Sequence, residues 1–327
     1  MGRVPLVEET PCNLCGARDY DVVSERDRDG RPLRTTICRR CGLVWTNPRP
    51  TLQALNEYYR EHYRQDYKHM PVPTARKLLR GMSGALERRR WLEPSLRPDS
   101  RILDVGCGAG ELVYVLRAAG FDARGLEPDE RYARYAGETL GVPVEVSPVG
   151  EVLPAGAPFD VITLFHALEH VGDPVATIAS LAAALQPSGL LVIEVPNVEA
   201  VCQAPGHRFH YAHLFSFSQG TLAALAARAG LSCVRMELSA DGGNILAVFR
   251  RANPAPTPPS REPREQYEHT VHVLRAHTAL RHYLSFAPYA RLAGRLAQRR
   301  REGRLLRRLR TTDDILRWAR TGALDRP

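Results

Sequence analysis

Between residue 100 and about residue 251 the hydrophobic positions switch repeatedly between two periods. Arg101 to Val105, Val142 to Val146, Phe159 to Phe165 and Gly189 to Val195 are mostly apolar runs, and with the more mixed Asp122 to Leu126 they read as strands of a sheet covered on both faces. Between them, apolar residues recur every three or four positions in Glu111 to Ala119, Pro174 to Leu185 and Ser218 to Ala229, the pattern of helices, and Gly230 supplies a stop. Leu231 to Leu238 and Asn244 to Arg250 read as a closing antiparallel pair. Strands that alternate with helices through short connections predict an α/β unit with a mostly parallel sheet, its last strand antiparallel. A ligand of such a sheet sits beyond the carboxyl ends of the strands, where Gly106, Glu127, His166 and Pro196 fall.

The flanks have other patterns. Asp19 to Ser24 and Leu33 to Ile37 read as short strands around a turn at Asp29-Gly30, and Asn47 to Pro50 as a linker-like turn. Thr51 then caps a helical pattern holding Tyr58, Tyr59, Tyr63 and Tyr67, which Pro71 and Pro73 break before a basic helix, Thr74 to Leu92. Asn253 to Pro263 is a proline-rich linker, and Glu265 to Arg320 is helical, with Leu292, Leu296, Leu305, Leu306 and Leu309 as an apolar stripe among arginines. These breaks divide the chain into residues 1–50, 51–95, 96–252, 253–264 and 265–327.

Composition changes this picture little. The 327 residues are 44% hydrophobic and 25% charged, ordinary for a globular protein with one full core and a smaller module. No apolar run reaches the roughly 18 residues of a membrane span, and Met1 to Thr10 lacks a basic-then-apolar leader. A cytoplasmic protein without membrane partners is expected. The net charge of +9 belongs to the tail, because residues 265–327 carry 14 arginines against 6 acids. The body is nearly neutral, which weakens the electrostatic case for nucleic-acid binding there. The tail remains a candidate for docking on the domain, on a second copy as a homodimer, or on an acidic partner.

Two features carry chemistry. Cys12 and Cys15, then Cys38 and Cys41, form two C-x2-C pairs separated by 22 residues, with Gly16 and Gly42 behind them. Two residues between cysteines let both thiolates reach one tetrahedral ion at about 2.3 Å. The pattern is that of a zinc ribbon with a structural Zn2+ that lends its small core stability. The other feature is Leu103-Asp104-Val105-Gly106-Cys107-Gly108-Ala109-Gly110, a strand passing through a glycine turn into a helix. Glu127 ends the next strand 17 residues after Gly110, placed to accept from ribose hydroxyls. The spacing is G-x-G-x-G, and Asp104 would repel a diphosphate and favour a cationic ligand.

Residues 101 to 250 resemble the class I S-adenosylmethionine (SAM) dependent methyltransferases. The resemblance implies a Rossmann-like seven-stranded sheet and SAM as cofactor. It implies that Asp104, Gly106, Cys107, Gly108 and Gly110 hold the methionine part, that Glu127 and Pro128 lie at the ribose, and that Gly150 and Glu151 lie at the adenine. Phe165 and His166, where the fourth strand exits, complete the cofactor set. Leu185 to Gly189 matches the family's turn before the fifth strand. The cysteine ribbon, the Gly42 to Pro48 segment and the tyrosine helix are similar to a bacterial subgroup that includes sugar and natural-product methyltransferases. In the deoxysugar C-methyltransferases of that group one His follows the fourth strand and a second lies in a Tyr-x-Glu-His stretch. His170 and His213 match these, but Ala212 stands at the Glu position and His210 at the Tyr position, and their large C-terminal domain has no counterpart. Transfer to oxygen or nitrogen of a small-molecule acceptor is therefore expected rather than C-methylation.

Methyl transfer needs the nucleophile aligned with the sulfonium and its proton removed. The sequence clusters His166, Glu169, His170 and the His207 to His213 group as candidates; His213 is expected as base and His170 as the residue orienting the acceptor, with Tyr63, Tyr67 and His210 as substrate contacts. His207, His210 and His213 recur every three residues, as on a helix face, but without an acid among them or an H-E-x-x-H motif no catalytic metal is expected. Two other readings stay open: an RNA methyltransferase, since some ribosomal RNA enzymes join a four-cysteine ribbon to this fold, and a non-catalytic partner protein that keeps SAM as a structural ligand.

Overall fold

The computed structural model describes residues 7–51, 54, 73–149, 158–252 and 262–321. They belong to two compact units. One lies within residues 1–56, 165–183 and 191–292, the other within 57–164, 184–190 and 293–327.

The first unit begins with the cysteine ribbon. β1 (Val7–Glu8) pairs antiparallel with β5 (Arg49–Pro50). The Asn47 to Pro50 segment thus ends in a strand rather than a linker, because Glu8 and Val7 supply ladder partners for Arg49 and Pro50. β2 (Tyr20–Arg26) and β3 (Pro32–Cys38) form a hairpin, and β4 (Val44–Thr46) continues the sheet. The hairpin turn is held by Asp27 Oδ1, which accepts from the amides of Asp29 and Arg31 at 2.9 and 2.8 Å. Gly42 has φ of +77°, and a Cβ there would lie 2.9 Å from the Tyr267 nitrogen, so the second cysteine knuckle has no room for a side chain.

In the second unit β6 (Arg101–Val105), β7 (Asp122–Glu127), β8 (Val144–Val146) and β9 (Phe159–Phe165) run parallel where their registers are set: β6 lies between β7 and β9, and β8 beyond β7. The apolar character of β6 and β9 is explained by burial, with Ile102, Leu103, Val105, Val161, Ile162 and Leu164 all at 0–1% exposure, whereas β8, the sheet's edge strand, is largely exposed rather than buried on both faces. Helix Glu111–Ala118 starts at Gly110, whose φ of +81° only glycine adopts readily. The tail of this unit is docked: Ile315 and Ala319 of helix Thr312–Thr321 are buried, and the Tyr114 hydroxyl donates to the Leu316 carbonyl at 3.0 Å. Glu302 accepts two hydrogen bonds from the Arg80 guanidinium, at 2.8 and 2.9 Å.

β10 (Leu185–Pro196), β11 (Phe215–Ser216), β12 (Leu231–Leu238) and β13 (Asn244–Arg251) complete the strands. The seven-stranded sheet has the order β12-β13-β10-β9-β6-β7-β8, with β12 and β13 antiparallel. This is the expected α/β sheet. Leu185 to Gly189 is the exception: expected as a turn, it extends β10. Gly189 there passes so close to β9 that a Cβ would sit 2.9 Å from the Phe159 oxygen, which is a reason for glycine in an extended strand. β11 joins the ribbon instead, giving a four-stranded sheet β11-β4-β3-β2. Ile37, Val44, Val198 and Phe209 form its core, with Tyr267, Val271 and Leu274 packed against them.

Candidate functional site

The glycine loop lies in the second unit, at the carboxyl end of β6. Gly106, Gly108 and Gly110 all have positive φ, 72°, 61° and 81°, so the turn is bare backbone that an L-side chain would strain. The amides of Gly106 and Cys107 both donate to the Leu126 carbonyl, at 2.8 and 3.0 Å, which fixes the loop against β7. Cys107 is buried and faces Gly125, where a Cβ would lie 2.5 Å from its sulfur. Glu127 is 2% exposed; its Oε2 accepts from the Gly108 amide at 2.8 Å and its Oε1 from the Asp129 amide at 3.2 Å. Pro128 is half-buried beside it. Asp104 is buried, which pushes its carboxyl up to about 6 against a hydrogen bond donated by Thr163 Oγ1 at 2.7 Å. Two buried acids beside the glycine turn, Asp104 in β6 and Glu127 at the end of β7, fit a nucleoside ligand that carries an amino group. Gly150 and Glu151, expected at the adenine, lie outside the described residues, as do Tyr63 and Tyr67.

The histidines lie in the first unit. His166 leaves β9 with φ of +53°, an unfavourable conformation for a residue with a Cβ and a sign of local strain. Its Nδ1 is 3.5 Å from Glu169 Oε1 and its Nε2 3.2 Å from Glu194 Oε1. Burial alone would lower its pKa, but the two carboxylates raise it to about 9. Glu169 is 1% exposed; burial would raise its carboxyl, yet His166 and His170 hold it at about 2. His170 Nδ1 is 2.6 Å from the Ala212 carbonyl oxygen, and its ring meets the His213 ring edge-on at 4.9 Å. Burial, then His170, pushes His213 down to about 3, and burial with Arg28 and His170 pushes His210 down to about 4. His170, His210, His213 and Glu169 therefore converge, while His207 is exposed.

The spacing of His207, His210 and His213 predicts a helix face, and the structure corrects this. Only Pro205–His207 makes a single 3-10 turn. Beyond it the backbone bonds to the ribbon: the Arg28 amide donates to the Phe209 carbonyl at 2.8 Å and the Thr46 amide to the Leu214 carbonyl at 2.9 Å. Those bonds replace the helical ladder.

The four cysteine sulfurs lie within 4.8 Å of one another, with Cys12 to Cys41 and Cys15 to Cys38 both at 3.5 Å. An ion about 2.3 Å from each of four sulfurs needs them about 3.8 Å apart. Donor set and spacing fit a tetrahedral Zn2+.

A family model described as a methyltransferase domain matches residues 74–236. This stretch of the chain is a methyltransferase domain. The ubiquinone biosynthesis O-methyltransferase of Methylobacterium sp. (strain 4-46) is 35% identical over 101 residues, 29% of this chain and 41% of that protein. The protein of the same description from Bordetella avium (strain 197N) is 37% identical over 103 residues, 30% of this chain and 43% of that protein. The chain thus spans about two fifths of the length of these relatives. Among solved structures, the CcbJ methyltransferase from Streptomyces caelestis aligns over 59% of this chain and 98% of its own, at 14% identity and a TM-score of 0.47.

The methyltransferase domain contains both the glycine loop and the histidine cluster, but the cysteine ribbon lies outside it. Two residues beside His166 carry little signal in the sequence, Glu194 within the matched stretch and Asn244 just after it. Glu194 Oε1 accepts from Asn244 Nδ2 at 2.9 Å while facing His166. The signal for Glu194 was a lone acid in an otherwise apolar strand, Leu190 to Val195. No comparable signal marks Asn244, which opens β13.

Proposed function

We propose that this chain is a SAM-dependent methyltransferase acting on an oxygen, or a nitrogen, of a small-molecule acceptor, in the cytoplasm, with residues 96–252 as the catalytic domain. The observation that carries the proposal is the glycine loop of the methyltransferase domain with two buried acids beside it, Asp104 near the end of β6 and Glu127 at the end of β7. Asp104 would pair with the amino acid's ammonium and Glu127 would accept from the ribose hydroxyls once its bond to the Gly108 amide is exchanged. Gly106, Cys107, Gly108, Gly110 and Pro128 would line the donor through backbone; Gly150, Glu151, Phe165 and His166 complete the proposed set. SAM supplies an electrophilic methyl group when bound.

The acceptor must be aligned and lose a proton. β6 and β9 are parallel and in register through Val105 and Leu164, so the chain leaves both strands at the same edge of the sheet. The Glu169, His170 and His213 group is the proposed acceptor side, with His213 the base and His170 the orienting residue when no ion is bound there. Neutral His213, held below its usual pKa by burial, is in the form that accepts a proton, although weakly basic. The O-methyltransferase description of the relatives supports oxygen over carbon as the acceptor atom. Tyr63, Tyr67 and His210 remain the proposed acceptor contacts. Zn2+ at Cys12, Cys15, Cys38 and Cys41 is proposed as structural, since four thiolates leave a tetrahedral ion no open position.

The reading is tested by incubating the full chain with methyl-labelled SAM and a panel of phenols, hydroxylated sugars and amines. Label transfer matched by S-adenosylhomocysteine release is expected with a hydroxylated acceptor. Transfer to RNA alone would overturn the small-molecule assignment.

A further inference from the structure

Glu169, His170 and His213 each present a donor atom, and the three lie within 4.8 Å of one another. The residues come from two places, the 3-10 turn Leu168–His170 and the loop that ends at His213. One backbone bond brings these together, the Leu214 amide donating to the Glu169 carbonyl at 2.8 Å, and the Thr46 side chain holds the loop beside it, its Oγ1 donating to the His213 carbonyl at 3.2 Å. Glu169 is 1% exposed, yet its Oε2 has no hydrogen-bond partner. An orphaned carboxylate oxygen this deeply buried is costly unless something cationic or donating meets it.

The imidazole beside it is already arranged as a ligand. The Ala212 carbonyl can only accept, so His170 Nδ1 at 2.6 Å carries the hydrogen and Nε2 carries the lone pair. That Nε2 lies 3.9 Å from Glu169 Oε1. A backbone carbonyl fixing the far nitrogen is the usual support of a metal-bound histidine. His166 Nδ1 lies 3.5 Å from the same Oε1, which leaves Oε2 as the unpartnered oxygen. An ion about 2.1 Å from each donor keeps donors about 3 to 3.5 Å apart, so the group would close by about an ångström.

We propose that Glu169, His170 and His213 bind a divalent first-row cation through two imidazoles and one carboxylate, with the remaining positions open to a hydroxyl oxygen of the acceptor. The donor set suits Zn2+, Fe2+, Co2+ or Mn2+ better than Mg2+ or Ca2+, which prefer all-oxygen surroundings. The site is separate from the four cysteines, whose ion has no open position. The proposal rests on the methyl-transfer reading and deepens it by naming a hydroxylated acceptor that can ligate an ion. The bound acceptor O–H gives its proton to water, the oxygen lone pair forms the O–CH3 bond, and the breaking CH3–S bond leaves its electrons on S-adenosylhomocysteine. With the ion present, His213 is a ligand and the ion takes over the ionisation of the acceptor.

The test adds Co2+ to the full chain already holding one Zn2+. One Co2+ per chain is expected, with visible d–d bands and no near-ultraviolet sulfur-to-cobalt band. Paramagnetically shifted imidazole N–H resonances are expected in the unsubstituted protein, which keeps the test independent of how any variant folds. Glu169→Gln and His170→Ala should each weaken binding at least tenfold, and His207→Ala should leave it unchanged. Absence of binding, a sulfur-to-cobalt band, no shifted imidazole resonances, or full affinity in His170→Ala would overturn the site. SAM binding and methyl release are measured on the same samples. Full-rate transfer without a second ion rejects the cation while methyl transfer stands; Co2+ binding without SAM binding rejects methyl transfer while the cation site stands.

Discussion

Thr46 Oγ1 donates a hydrogen bond to the carbonyl oxygen of His213 at 3.2 Å, tying the last strand of the cysteine ribbon to the histidine loop. The Thr46 amide extends the tie to the Leu214 carbonyl, and β11 then pairs with β4, Phe215 opposite Trp45. The ribbon is therefore positioned to act on chemistry indirectly, by holding the backbone that carries His213.

That relationship predicts the effect of removing the Zn2+ proposed for the ribbon. Cys12→Ser should lose the zinc, counted by atomic emission, and lower the melting temperature, since such small cores depend on their metal. It should also reduce kcat more than SAM affinity, because the loop is displaced while the glycine loop is untouched. A variant that loses zinc but keeps kcat would show that the ribbon does not support His213.

His213→Ala is expected to lower kcat by about 10² to 10⁴, the usual range for a group that handles the acceptor proton. The Kd for SAM should change less than about twofold. Parallel loss of SAM affinity in calorimetry would instead assign His213 to the donor side.

SAM affinity should depend on pH through Asp104. Burial raises this carboxyl to about 6 from an ordinary 3.8, so the folded free protein holds the proton to higher pH than the unfolded chain. The sign follows: this group costs stability as pH rises from about 4 to about 6, and the cost is constant above that. A bound ammonium requires the ionised form, so the apparent Kd should rise as pH falls below about 6, approaching tenfold per pH unit. Asp104→Asn should flatten the dependence and weaken binding at pH 7. An unchanged pH slope in that variant would remove Asp104 from the donor site.

The strands β6, β9 and β12, the glycine loop and the four cysteines were legible in the sequence because each is a local pattern: an apolar run, a glycine spacing, a pair of knuckles. The histidine loop was legible in composition but not in shape. Its helical spacing is overridden by hydrogen bonds from Arg28 and Thr46, more than 160 residues away in sequence, which no local pattern records. Leu185 to Gly189 failed in the same way, since its Pro and Gly signal a turn while its neighbour β9 demands a strand. Glu169 was visible as a candidate, but its closeness to His213 depends on the Leu214 to Glu169 backbone bond. Glu194 and Asn244 matter only because two strands bring them to His166.

Helix Thr312–Thr321 should behave as part of its own unit. Ile315 is fully buried, so Ile315→Ala should cost about 2 to 5 kcal/mol in chemical denaturation. A cost below about 0.5 kcal/mol would mean that the tail is not docked in solution.

The most direct measurement is calorimetric titration of SAM into the full chain and into its Glu127→Ala variant. One SAM per chain is expected, with affinity reduced about ten- to a hundredfold in the variant, the loss of charge-assisted hydrogen bonds to the ribose. No SAM binding by the unsubstituted chain, or equal affinity in the two, would contradict the assignment of the glycine loop with Asp104 and Glu127 as the donor site.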